Sequence, residues 1–227
     1  MKNLAIMIAI FAMGIMNVIG QTTDTITNAP ADSTKVQLVG SAEVQIASVN
    51  MLPMTGLALE KDAASINGNI YIGADYDKFG IGLTVISQKS VNGSQTTYNL
   101  IDITGSYRPM DNLTITAGYE LTYWDHPEGN DEIGHNFLAI ANYNISRVSI
   151  TGIVLVDKDF SSVYLIGSAS YKATDHIDVV GLYGYANTMG SYGMLAVKYT
   201  YQRFNCGVYG LINKNPGIGV TASFKVF

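Results

Sequence analysis

The chain has 227 residues, yet only one cysteine, five prolines and 14% charged side chains. A single thiol excludes a disulfide framework and any multi-thiolate metal centre. Thirteen basic residues against eighteen acidic ones give a formal charge of −5, which is not the basic surface of a nucleic-acid binder. Beyond residue 20 no apolar run is long enough for a membrane-spanning helix, and helical spacing is nowhere sustained. What the chain does have is 23 glycines, 15 tyrosines and 48% apolar residues, a composition that argues against disorder. Its mean hydropathy of +0.18 is high for a protein bathed only in water.

Residues 1–20 read MKNLAIMIAIFAMGIMNVIG. Lys2 is the one charge, an apolar core follows from Leu4 to Ile19, and Val18 and Gly20 are small enough for the positions before a cleavage point. This is the pattern of a cleaved secretory signal peptide, with Gln21 as the first mature residue. Removal of Lys2 leaves 12 basic and 18 acidic residues, a mature charge of −6. No cysteine lies near the cleavage point, which speaks against a lipoprotein anchor. Residues 21–34, QTTDTITNAPADST, are polar and aperiodic and read as a flexible leader.

From residue 35 to 227 the pattern has period two. Leu113, Ile115, Ala117, Tyr119, Leu121 and Tyr123 alternate with Thr114, Thr116, Gly118, Glu120 and Thr122, so one face of a strand is apolar throughout and the other polar. The same alternation gives twelve segments, at 36–49, 66–76, 79–88, 96–108, 113–124, 135–145, 147–156, 162–172, 177–186, 192–202, 204–212 and 217–227. Ten is the alternative, if 36–64 is an extension outside the sheet. Residues 177–186 are apolar on both faces, which leaves their register open. Tight connections (77–78, 109–112, 145–146, 173–176, 202–203) alternate with longer ones (50–65, 89–95, 125–134, 157–161, 187–191, 213–216). Pro109, Asp111 and Asn112 supply turn chemistry. Tyr76, Phe79, Tyr107, Tyr143, Tyr171 and Tyr201 flank the tight turns.

A soluble β-sandwich also alternates, but its strands average 5–6 residues, about half the length found here. Strands of about ten residues with an apolar face and aromatic ends suit a bilayer, where an open sheet edge cannot be satisfied and the sheet must close. The expected fold is all-β, a closed antiparallel up-and-down transmembrane β-barrel. The chain resembles the small porin-like outer-membrane β-barrel proteins of diderm bacteria over about 35–227. The resemblance rests on the signal-like N-terminus, the alternating strands, the short and long connections and the terminal Phe227. It implies insertion in outer-membrane lipid, with tight turns on the periplasmic side. It also implies recognition of the last strand and Phe227 by the barrel-assembly machinery. One departure is visible: positions two apart back from Phe227 are Lys225, Ser223 and Thr221, while the apolar series is Ile218, Val220, Ala222, Phe224 and Val226. Phe227 therefore turns inward, or the strand bulges before it.

By this register Glu43, Asp102 and Glu120 point into the lumen from early strands, and Lys198 and Lys225 from late ones. Arg108 and Arg147 lie at the inner rim. Small polar residues and glycines leave space between them. Twelve strands fall between barrels filled by side chains and those holding an aqueous channel, and wall charges set selectivity in pores. The function expected is a narrow passive pore for small solutes, with no cofactor and no metal; the alternative is a closed structural or accessory barrel in an outer-membrane complex, alone or oligomeric. An enzyme is not expected. His135-Asn136-Phe137 lacks the serine two residues on that lipid hydrolases of such barrels use, and His126 and His176 read as solvated polar residues. His126, Asp131, Glu132 and His135 match no standard metal spacing. The connection 50–65, with its apolar Met51-Leu52-Pro53-Met54, could fold into the mouth or dock on a partner.

Overall fold

The computed structural model describes residues 36–48, 50–51, 58–60, 63–91, 96–125, 129, 131–188, 190–212 and 216–226. The expected signal peptide, the leader, His126 and Phe227 lie outside the described residues. The strands are β1 (Gln37–Ala47), β2 (Asn50–Met51), β3 (Ala58–Glu60), β4 (Ser65–Tyr76), β5 (Phe79–Ser90), β6 (Thr97–Met110) and β7 (Leu113–Asp125). They continue as β8 (Glu132–Ile145), β9 (Val148–Asp157), β10 (Val163–Lys172), β11 (Ile177–Ala186), β12 (Gly190–Tyr201), β13 (Phe204–Ile212) and β14 (Gly217–Lys225). Twelve of them form one closed antiparallel barrel, each paired with its sequence neighbours, and β1 closes it by pairing with both β4 and β14. Closure removes every sheet edge. It also decides between twelve strands and ten, because Glu43–Ala47 of β1 hydrogen-bond into Thr221–Lys225 of β14. β2 and β3 form a separate two-stranded hairpin inside the long connection 50–65.

Residues opposite each other across a ladder share a face, so the register sorts the whole wall. Ser41, Tyr71, Thr84, Asp102, Glu120, Asn136 and Asp157 are successive partners from β1 to β9, and all face inward. Their sequence neighbours face outward. Ile81 is 68% exposed and Ile103 63%, with Leu38, Leu195 and Ile218 equally bare. A water-soluble fold would bury these side chains; an apolar outer wall suits a lipid solvent. Tyr76, Phe79, Tyr107, Tyr171 and Tyr201 are exposed on this wall at the tight-turn end, and the Phe79 and Tyr107 rings stack at 5.1 Å. Cys206 is a free cysteine on the same outer wall, opposite Tyr199 and Ala222.

Three tight turns are two-residue loops, at 77–78 and 202–203 as expected and at 146–147, one residue beyond the expected 145–146. At Asp77, Ser146 and Gln202 the first turn residue takes a left-handed φ of 50°, 51° and 53°, the twist that lets a two-residue loop join right-twisted strands. Pro109 was expected in the turn; instead β6 runs through it to Met110, and the register slips between Tyr107 and Met110. Proline has no N–H for the ladder, so it is absorbed as a bulge next to the Asp111-Asn112 turn. β8 starts three residues before the expected His135, since Trp124 and Tyr123 pair onward with Glu132 and Ile133. At the C-terminus Phe224 pairs with outward Phe204 and Ser223 with inward Asn205, which puts Lys225 on the inner face.

Candidate functional site

The inside of the barrel divides by depth. Toward the tight-turn end the inner wall is polar. Asn142 Oδ1 accepts from Thr151 Oγ1 at 2.6 Å and Asn205 Nδ2 donates to Ser223 Oγ at 3.2 Å, pairing side chains of neighbouring strands along the wall. Lys198, Lys225 and Arg108 are exposed here. Lys225 is the ladder partner of Glu43, and Lys198 that of Asp178. Arg108 Nη2 forms an ion pair with Asp75 Oδ2 at 2.7 Å, reaching over β5 to β4. Asp75 escapes the sequence reading because its partner lies 33 residues away on a non-adjacent strand. Arg147, in the β8–β9 turn, donates to the Ala173 carbonyl at 3.4 Å and sits outside the lumen, at the rim.

From mid-depth toward the long connections the inner wall changes character. Ile86, Tyr98 and Leu100 pack with Trp124; Ile166 and Tyr192 with Ile153 and Leu182; Ala196, Tyr209 and Leu211 with Val180 and Met194. Together they form an apolar, aromatic belt on an inner face expected to be mostly polar. Tyr98 and Trp124 are ladder partners with ring centroids 4.5 Å apart. The tyrosines lie along the wall, over glycines. A Cβ on Gly184 would overlap the Tyr192 ring and one on Gly219 the Tyr209 ring, and each glycine is the ladder partner of the tyrosine that covers it. Missing side chains thus give each ring a shelf, which keeps it out of the lumen axis.

Asp102 and Glu120 sit within this belt. They are partners on β6 and β7 and are 2% and 4% exposed. Glu120 Oε1 accepts from Asn136 Nδ2 at 2.7 Å, whereas Asp102 Oδ1 has no hydrogen-bond partner. Tyr98 is within electrostatic reach of both carboxylates and of Tyr164. Tyr164 in turn faces Glu120 and Asp157, and Tyr192 faces Tyr164. Because β6 and β12 stand on opposite sides of the twelve-strand ring, this series of tyrosines crosses the lumen. The sequence-selected charges therefore fall into two groups: Asp102 and Glu120 together at mid-depth, and Lys198, Lys225, Glu43 and Arg108 nearer the tight-turn mouth.

The histidines lie elsewhere. His135 is opposite Leu121 on the outer wall, with its Nδ1 hydrogen-bonded to the Tyr119 hydroxyl. His176 Nδ1 meets the Thr200 carbonyl at 3.0 Å in the β10–β11 turn. Asp131 accepts from the Tyr123 hydroxyl at 2.7 Å. Among the described residues no group of three or more potential metal ligands gathers.

No family model and no curated sequence matches the chain. In three dimensions it is similar to the KdgM porin, with a TM-score of 0.58 and 9% identity over 82% of this chain and 98% of that one. The KdgM porin in complex with disordered oligogalacturonate aligns over the same shares with a TM-score of 0.57 and 10% identity. An outer-membrane channel from Pseudomonas putida F1 aligns over 87% of this chain and 98% of that chain, with 9% identity and a TM-score of 0.49. At such identities the likeness to KdgM is one of fold: a closed porin-type barrel.

Proposed function

We propose that the protein is an outer-membrane barrel whose narrow lumen passes small solutes by diffusion. The observation that carries this reading is a closed twelve-strand wall, apolar outside, around an inner face with exposed Lys198, Lys225 and Arg108. Exposed charges inside a barrel mean water inside it, and a twelve-strand ring is wider than the eight-strand barrels that side chains fill. The fold shared with KdgM supports the same reading. In this reading residues 1–20 direct export and are removed, the tight turns face the periplasm, and the last strand with Phe227 engages the assembly machinery. No catalytic role is assigned: His135 faces the lipid side, away from the lumen.

A second reading has its own support. The inner belt of Leu100, Tyr98, Ile166, Tyr192, Tyr209 and Leu211, all 5% exposed or less, is what a closed structural or accessory barrel would place across its lumen. Two measurements on one sample separate the readings. The folded barrel should migrate differently before and after boiling on a denaturing gel, and the unboiled form should give discrete conductance steps in a planar bilayer. Heat-modifiability without any steps would establish the closed barrel in place of the pore.

A further inference from the structure

Two carboxylates that are nearly inaccessible to solvent, side by side on neighbouring strands, need a positive charge or a proton between them. Ladder partners place their Cβ atoms about 4.5–5.5 Å apart, and at that range in a poorly solvated site the repulsion of two bare charges adds to the cost of burying each. Among the described residues no lysine, arginine or histidine pairs with Asp102 or Glu120; the ion pairs formed are Arg108 with Asp75 and Lys172 with Asp175. Among the described residues the side-chain hydrogen bond to the pair, from Asn136, reaches Glu120 alone. Asp102 Oδ1 is buried and unpartnered. Two further buried oxygens without partners face the same lumen: Asn69 Oδ1, two strands from Asp102, and the hydroxyl of Tyr192, which is 3% exposed and stands against Tyr164 across from Glu120.

We propose that Asp102 and Glu120 form a cation site on the inner wall of the barrel, which passes small monovalent cations and is blocked by calcium. All the donors at this level are oxygens, with no thiolate or imidazole among them, which selects hard cations. Two carboxylates are too few to enclose a calcium ion, which takes six to eight oxygens, so the ion keeps much of its water. A monovalent ion is held weakly enough to leave, as conduction demands; a divalent ion, drawn by both charges at once, stays longer and obstructs the path. The apolar belt strengthens the site by keeping bulk water away from its field. Anions, including acidic saccharides, are repelled at the same level.

The transport consequence rests on the pore reading, while the site itself does not, and two assays on the full mature chain keep them apart. Terbium, a calcium analogue excited through nearby aromatic rings, is the binding probe; Trp124 is the protein's one tryptophan and packs tilted against Tyr98 beside the pair. Saturable terbium emission, displaced by calcium and lost in D102N/E120Q, supports the site. Absence of that emission, or its persistence in the folded double variant, overturns it. Should the double variant lose heat-modifiability, E120Q answers the same question, because a glutamine oxygen still accepts from Asn136. In planar bilayers the wild type should favour potassium over chloride by about tenfold, fall to about no preference in D102N/E120Q, and lose current on adding calcium. Current with no cation preference, or a preference unchanged in the variant, overturns the proposal and leaves the pore standing. No current at all removes the pore, and the terbium result then decides the site alone.

Discussion

Ser146 holds a left-handed backbone, φ 51°, in the two-residue turn between β8 and β9, where an L-residue with a Cβ is strained by roughly 1–2 kcal/mol. Part of that relief is cancelled by the larger freedom of glycine in the unfolded chain. Ser146→Gly should therefore raise stability by about 0.5–1 kcal/mol, read as a higher urea midpoint for refolding into detergent micelles; a lower midpoint would show that the serine side chain contributes more than its strain costs. Arg108 and Asp75, although only 2.7 Å apart, are partly exposed, so the pair adds at most about 1 kcal/mol. Their effect is on the charge of the tight-turn mouth. Asp102 and Glu120 differ because burial leaves water no share in compensating them. Position along a strand tells which way each of these side chains points, but whether a carboxylate meets an arginine or another carboxylate depends on neighbours 18 to 33 residues away.

At the scale of strands, the pairing of β11 with β12 and of β13 with β14 decides where two inward tyrosine rings lie. Tyr192 lies over Gly184 and Tyr209 over Gly219, so a side chain on either glycine must push a ring toward the axis. Gly184→Val should reduce single-channel conductance and, by overpacking, cost about 1–3 kcal/mol, while Tyr192→Ala should increase conductance. Equal conductance in all three proteins would mean the rings do not bound the path. This shelf is invisible from the sequence, since a glycine inside a strand has several meanings and its partner is known only once the register is. The alternation itself was legible in β7, where one face is apolar and the other carries Thr114, Thr116, Gly118, Glu120 and Thr122. It was much less so in β6 and β11: Tyr98 and Leu100 face inward while Ile101 and Ile103 face outward, so both faces carry apolar residues and composition does not distinguish lumen from lipid. The bulge at Pro109 was missed for a related reason. Turn-forming residues mark where a chain reverses, but the ladder decides how many of them remain in the strand.

For the molecule as a whole, outward and inward positions should respond oppositely to charge. Ile103→Arg, in the middle of the apolar outer wall, should destabilise the folded barrel by about 2–4 kcal/mol in a bilayer, the cost of arginine near the midplane. Thr116→Arg, on the inner face of the next strand, should leave stability within about 1 kcal/mol and lower conductance instead. Similar stability losses from both would contradict the assignment of the two faces. The amino-acid sequence by itself determined the class: with charge and proline scarce, no helix-length apolar run beyond residue 20 and a sustained period of two, long two-faced strands remain, and in lipid such strands must close. Only the tertiary structure decided that β1 completes a ring of twelve, because closure is a pairing between residues about 180 apart. It alone showed the inner apolar belt and the two carboxylates meeting inside it. Depth along the axis follows from how neighbouring strands are staggered, and period two carries no information about stagger.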